Sequence, residues 1–217
     1  SGMTGPARSG TGGPVCSGIG GRMAPESALL LRELNHRVKN NLQIIQSIVS
    51  LQASRKDTTH ILEDIEGNIQ AISLAYDKLT YQDSHDSIHL QDYLGTLLEH
   101  LIHAGDRLVQ FETEIPALQI DIRKAVTLGL IVTECYNNSA KYAFDAHVTK
   151  PRFSIHCSVK DDLQLLMTIS DNGRGFSPEN TSGIGLELID SLCKNSFHTT
   201  PRFYSEQGAR TEISIPL

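Results

Sequence analysis

Hydrophobic residues recur at helical spacing over two long stretches of the N-terminal half. Apolar positions between Pro25 and Ala53 follow a spacing of three and four residues, and the same period returns from Leu62 to Leu79. Such spacing places the apolar side chains on one face of an amphipathic helix. The two stretches therefore predict an antiparallel helical hairpin. It would bury its apolar stripe by dimerising into a four-helix bundle or by packing on the rest of the chain.

The pattern changes after a polar segment at residues 83–87, which predicts a linker. Beyond it, segments with a helical period are mixed with segments typical of strands. The predicted helices are Leu90–His103, Ile122–Ala143 and Ile184–Lys194, and the predicted strands are Leu108–Ile115, Arg152–Lys160, Leu163–Ser170, Arg202–Ser205 and Arg210–Ile215. Because several strands are close enough along the chain for hairpins, this part predicts an α+β sandwich, a mostly antiparallel sheet covered on one face by helices.

Length and composition suit such a division. The chain has 217 residues, and we expect a flexible glycine-rich leader over residues 1–24, the hairpin over 25–83 and the sandwich over 84–217. A net charge of -6 argues against binding to nucleic acid that is mainly electrostatic. No apolar run approaches the roughly 20 residues that a membrane span needs, so we expect a cytoplasmic protein. Four widely spaced cysteines without a paired motif argue against a disulfide framework, and three of them lie among apolar residues, as buried thiols would.

The first candidate for chemistry is a histidine on the predicted first helix. In the segment LLRELNHRVKNNLQ, His36 falls on the polar face, with Glu33 one turn before it and Lys39 and Asn40 one turn after it. A neutral imidazole is a nucleophile, and the neighbouring cations would attract a triphosphate. A solvated helix also often carries a histidine among charges, so this segment alone leaves both interpretations open.

A second constellation lies on the predicted helix Ile122–Ala143. Glu134, Asn138 and Lys141 are spaced so that they share one face. A carboxylate, a carboxamide and an ammonium on one face suit a hydrated Mg²⁺ and the phosphates bound to it, because Mg²⁺ prefers oxygen ligands and retains waters. The alternative is a solvated helical face.

The third constellation is the glycine-rich turn in ISDNGRGFSPENTSGIGLELI. The predicted strand leads into Asp171, whose carboxylate would accept a hydrogen bond from an amino group such as that of adenine. Gly173 and Gly175 follow, and Gly183 and Gly185 open the last helix, where close backbone approach is possible and the helix N-terminus favours an anion. The same residues are ordinary turn chemistry, and the chain has neither a P-loop nor a dinucleotide-binding GxGxxG.

In this order, the three segments resemble a two-component sensor histidine kinase, in particular the branch with an HRxKN phosphoacceptor box that is allied to the HWE kinases. The resemblance covers residues 27–217. It implies that His36 is the phosphoacceptor, that Asn138 binds Mg²⁺ between flanking polar positions, and that Asp171 reads adenine. It also implies an α/β sandwich of the gyrase-type ATPase fold as the ATP-binding domain.

The implied activity is phosphorylation of His36 by ATP with Mg²⁺, followed by transfer to an aspartate of a response regulator, with a homodimer through the hairpin as one arrangement. Arg37 stands where the largest class of histidine kinases has an acid that helps to take the proton. Glu33 is therefore the candidate for orienting the imidazole or accepting its proton, and Asn40 completes the catalytic segment.

Two rival functions remain open. One is a phosphotransfer protein that binds ATP poorly or not at all, an idea motivated by Ala209, which replaces the threonine that often follows Gly208 in the last glycine box. The other is a gyrase-like nucleotide-binding regulator in which His36 is incidental. If Met3 is the native start, we expect a kinase core that lacks a sensor of its own.

Overall fold

The structure is a computed structural model. It describes residues 61–80, 86–104, 108–145, 147–161, 163–176, 184–205 and 207–217. The predicted leader and the first helix of the predicted hairpin, with His36, Glu33 and Asn40, lie outside these residues. Chain contacts define two units, residues 1–40 and 41–217, and every described residue belongs to the second.

Helices and strands are mixed along the described chain. The helices are α1 (Ile61–Thr80), α2 (Leu90–Ala104), α3 (Ile122–Asn138) and α4 (Ile184–Phe197). The strands are β1 (Ser87–His89), β2 (Gln110–Glu114), β3 (Gln119–Asp121), β4 (Arg152–Lys160), β5 (Gln164–Asp171), β6 (Arg202–Ser205) and β7 (Ala209–Pro216). No described helix is both long enough and apolar enough to cross a membrane.

Five of these strands form one sheet in the order β2-β4-β5-β7-β6. The β2–β4 pair is parallel and the other three pairs are antiparallel. Buried positions alternate along the central strands, so that one face of the sheet joins the core shared with the helices. The predicted α+β sandwich with a mostly antiparallel sheet is therefore confirmed.

A second, two-stranded sheet was not predicted. Strands β1 and β3 pair antiparallel, with Ile88 opposite Ile120. Each strand has three residues, which is too short for an alternating pattern to be visible in the sequence. The small sheet brings the residues before α2 next to the start of α3, where the Ile122 N–H donates to the Asp86 carbonyl at 2.9 Å.

Helix α3 runs through the middle of the core. Every residue from Ala125 to Tyr136 is buried. Asp121 caps its N-terminus by accepting a hydrogen bond from the Arg123 N–H at 2.9 Å. Burial raises the pKa of Asp121, but hydrogen bonds and the charge of Arg123 outweigh that effect and hold the pKa below its usual value.

The end of α3 departs from the predicted helix. The prediction continued an α-helix to Ala143, but residues Ser139–Ala143 form a turn of π-helix. The Phe144 N–H donates to the Ser139 carbonyl at 3.0 Å, five residues earlier. Such wider turns are frequent at functional sites, and this one lies between two of the predicted constellations.

Helix α1, which corresponds to the second helix of the predicted hairpin, packs against α2 and α3. The Tyr93 hydroxyl on α2 donates to the Ala71 carbonyl at 2.9 Å, and both residues have no exposed surface. Burial raises the pKa of Tyr93. The helix therefore shares its core with the sandwich, and the division of the chain at residues 83–84 stays a prediction.

The described cysteines lie in this core. Cys135, Cys157 and Cys193 are buried free thiols, as predicted. Burial raises the pKa of each thiol to about 12. At neutral pH these groups therefore stay protonated and behave as small apolar side chains.

Candidate nucleotide-binding site

The carboxylate of Asp171, the last residue of β5, is held by three donors. Its Oδ1 accepts hydrogen bonds from the backbone N–H groups of Gly173 at 2.8 Å and Ala209 at 3.1 Å. Its Oδ2 accepts a hydrogen bond from the Ser139 hydroxyl at 2.6 Å. Asp171 keeps only 9% of its surface exposed. The group predicted to read adenine is thus fixed by the protein at both oxygens.

Two glycines after Asp171 allow chain segments to approach each other closely. A Cβ atom at Gly173 would lie 2.5 Å from the Ala143 carbonyl oxygen at the end of the π turn. Gly175 has a φ of 70°, and a Cβ there would lie 2.5 Å from the Ser205 Oγ. Both glycines are therefore required by the packing of the turn, and their contact with a nucleotide stays a prediction.

A further glycine contacts the Asp171 backbone from the other side. Gly208 precedes β7 and has a φ of 124°, and a Cβ atom at this position would overlap the Asp171 carbonyl oxygen. Only glycine fits both the backbone conformation and the space. The next residue, Ala209, supplies its backbone N–H to Asp171, a group that every residue except proline has. The departure noted at Ala209 therefore leaves this contact intact.

The Asn138 carboxamide lies against the first turn of α4. A Cβ atom at Gly185 would approach the Asn138 Nδ2 to 2.9 Å and Oδ1 to 3.2 Å. Mg²⁺ prefers oxygen ligands, and the Asn138 carboxamide has an oxygen of this kind. Asn138 therefore fits the metal. Gly183 lies outside the described residues, and Gly185 alone represents the second glycine segment here.

The other polar residues of the same helix have different surroundings. Glu134 is 2% exposed, and its Oε1 accepts a hydrogen bond from the Asn68 Nδ2 on α1 at 3.0 Å. Lys141 is half-buried on the π turn. The alternative of a solvated helical face is therefore wrong for Glu134, because α1 covers it. The nucleotide-binding roles of Glu134 and Lys141 stay predictions.

The two constellations predicted separately are neighbours in the structure. Ser139 bonds to Asp171, and the residue before it, Asn138, contacts Gly185. The strand end with its glycine turn and the start of α4 therefore adjoin across the end of α3. Asp171 and Asn138 therefore belong to adjoining elements, and their roles toward a nucleotide and a metal stay predictions.

Residues 33–105 match the family model HisKA_2, described as histidine kinase. Over this segment the chain is similar to the histidine kinase family. The resemblance seen in the sequence is confirmed, and the matched segment begins in the predicted phosphoacceptor region and ends after α2.

Curated relatives support the resemblance. The sensor histidine kinase PdtaS of Mycobacterium tuberculosis is 25% identical over 199 residues, which cover 86% of this chain and 39% of the relative. Blue-light-activated histidine kinase 2 of Erythrobacter litoralis is 24% identical over 197 residues, which cover 86% of this chain and 57% of the relative. The chain thus spans less than two thirds of the length of these curated relatives.

A solved structure supports the fold described above. The Erythrobacter litoralis EL346 blue-light activated histidine kinase superposes with a TM-score of 0.71 at 23% identity. The superposition covers 90% of this chain and 61% of that chain. The sandwich described above therefore shares its fold with that histidine kinase.

Sequence reasoning missed two contributions to the site. Gly208 was noted only as a landmark of the last glycine box, and Ser139 was not considered at all. The contact between Ser139 and Asp171 joins residues that are 32 positions apart. The only indication in the sequence was a hydroxyl residue directly after Asn138. Its contact with Asp171 can be inferred only when the end of α3 is known to lie next to the end of β5.

Proposed function

We propose that this chain is an ATP-dependent histidine autokinase that phosphorylates His36 and passes the phosphoryl group to an aspartate of a response regulator. The observation that carries the proposal is that Ser139 bonds to the Asp171 carboxylate, while the residue before it, Asn138, places its carboxamide against the first turn of α4. An adenine reader and a metal ligand on adjoining elements suit a magnesium nucleotide. The relatives named as histidine kinases support the same reaction class.

Each site residue has a role in this proposal. Asp171 accepts a hydrogen bond from the amino group of adenine. Asn138 would hold Mg²⁺ through its amide oxygen, with Glu134 beside it. Lys141 and the backbone N–H groups of the two glycine segments stabilise the phosphates. When bound, Mg²⁺ neutralises charge on the phosphates.

The phosphoryl acceptor comes from the predicted hairpin, residues 25–83. An imidazole nitrogen of His36 forms a bond to the γ-phosphorus, and the bond to the oxygen that bridges the β- and γ-phosphates breaks, so that ADP leaves. Glu33 orients the imidazole or accepts its proton, and Asn40 helps to position the same segment. Positioning and charge neutralisation supply most of the rate enhancement in such a transfer.

The rival in which ATP binding is weak was motivated by Ala209. The Ala209 contact to Asp171 uses the backbone N–H, so the loss of a threonine side chain does not remove it. The buried, fully oriented Asp171 carboxylate therefore favours nucleotide use over a pure phosphotransfer role.

Labelling with γ-labelled ATP and Mg²⁺ tests the proposal. We expect acid-labile, base-stable label on the wild type, none on His36→Ala, and full label on His103→Ala. His103 is a matched control because it is an exposed histidine bonded to the Glu99 carbonyl of its own helix at 2.6 Å. Subsequent incubation with a receiver domain should move the label to the receiver.

Other outcomes support the rivals. A wild type that takes up no label from ATP but accepts it from a phosphorylated receiver is a phosphotransfer protein. ATP turnover that is unchanged in His36→Ala and leaves no label on the chain supports a nucleotide-binding regulator. An unchanged autophosphorylation rate in Glu33→Gln would remove Glu33 from the mechanism.

A further inference from the structure

The Ser139 hydroxyl is buried at the first residue of the π turn and lies between two acceptors. Ser139 is 4% exposed, and its Oγ is 2.6 Å from the Asp171 Oδ2 and 3.0 Å from the Cys135 carbonyl oxygen. A hydroxyl has one proton, so these acceptors compete for it. The shorter contact is to the charged group and has the length of a charge-assisted hydrogen bond. The proton is therefore directed to Asp171.

Counting acceptor positions shows what this bond leaves available. An ionised carboxylate offers about four lone-pair positions, two on each oxygen. Oδ1 of Asp171 uses both for the N–H groups of Gly173 and Ala209, and Oδ2 uses one for Ser139. No other donor within the described ranges bonds to this carboxylate. One acceptor position of fixed direction is left on Oδ2.

A single remaining acceptor discriminates between bases. The amino group at position 6 of adenine can donate to it, whereas guanine presents a carbonyl oxygen at that position and would meet the carboxylate with an acceptor. Two facing acceptors leave both groups unsatisfied in a buried site, which is costly. The specificity depends on the direction in which the free lone pair of Oδ2 points.

We propose that Ser139 is a positioning residue that orients the Asp171 carboxylate toward the amino group of an adenine nucleotide. The inference rests on the nucleotide-dependent function proposed above. Without the hydroxyl, Oδ2 has no protein donor, so the carboxylate can turn about its bonds to Oδ1 and bind water in a second position. The orientation that suits adenine is then populated for only part of the time.

Binding of two nucleotides to the full chain tests this role. The probes are ADP and purine riboside 5′-diphosphate, which lacks the amino group, each titrated calorimetrically in the presence of Mg²⁺. We expect Ser139→Ala to weaken ADP binding about tenfold, since a hydrogen bond to a charged group is worth roughly that factor or more. The affinity for purine riboside diphosphate should change less than about twofold. Its base has no amino group that could donate to the Asp171 Oδ2.

A control separates this effect from damage to the helix. Thr127→Val removes another hydroxyl of α3 that bonds to a carbonyl one turn earlier, that of Arg123 at 2.9 Å, and should leave the binding of both nucleotides unchanged. Equal weakening of both nucleotides by Ser139→Ala would show a purely structural role and overturn the inference, as would no weakening of either. A wild type that binds no ADP would contradict the proposed ATP-dependent function itself, and the inference with it.

Discussion

Replacing Gly208 by alanine tests whether the Asp171 site is built on close backbone contact. The backbone φ of 124° is nearly exclusive to glycine, and the added Cβ would overlap the Asp171 carbonyl oxygen. Backbone strain of this kind costs of order 1–3 kcal/mol, and overpacking a further 1–3 kcal/mol. The alanine also restricts the unfolded chain, which offsets about 0.4–1 kcal/mol. The net loss in the free energy of unfolding is therefore about 1–6 kcal/mol.

Urea unfolding of Gly208→Ala and of a matched variant measures this loss. Gly95 lies within α2, and a Cβ atom there would have no neighbour within 4 Å. Gly95→Ala should therefore be neutral or more stable than the wild type by up to about 1 kcal/mol, since alanine is the better helix former. If the unfolding free energy of Gly208→Ala equals that of the wild type within about 0.5 kcal/mol, the glycine is not required by the backbone and the reasoning fails.

Three further substitutions probe other contacts. Gly129→Ala puts a Cβ 2.8 Å from the Cζ of the buried Tyr93, and overpacking of about 1–3 kcal/mol should exceed the gain in helix propensity, so the urea midpoint should fall. Gly185→Ala displaces the Asn138 carboxamide and should weaken Mg²⁺-dependent ADP binding in calorimetry with little change in stability. The pKa of Asp121 is lowered from its usual value of 3.8, so the charged carboxylate stabilises the fold at pH values above 3.8. Wild type should thus exceed Asp121→Asn in unfolding free energy at pH 6, and the difference should disappear as the pH falls below that value.

Elements with a clear period were predictable, whereas the end of α3 was not. The strand bounds Arg152–Lys160 and Arg202–Ser205 agree with the structure. Along Arg152–Lys160, the alternation of a strand buried on one face is visible in the sequence. The helix predicted to end at Ala143 changes to a π turn after Asn138. Hydrophobic periodicity does not distinguish the two geometries over a single turn, and the hydrogen bond from Ser139 to Asp171 appears only in the folded chain.

Glu134 shows most clearly why the site was only partly predictable. Its spacing with Asn138 correctly placed both on α3, but a spacing does not reveal which neighbour covers a face. The structure buries the Glu134 carboxylate under α1, where Asn68 donates to it, whereas the Asn138 carboxamide meets α4. A buried carboxylate bonded to an adjacent helix couples the position of that helix to the stability of α3, because removing its partner would leave a buried charge with one donor fewer. The polar face that the sequence presented as one unit therefore has two different neighbours, α1 at Glu134 and α4 at Asn138.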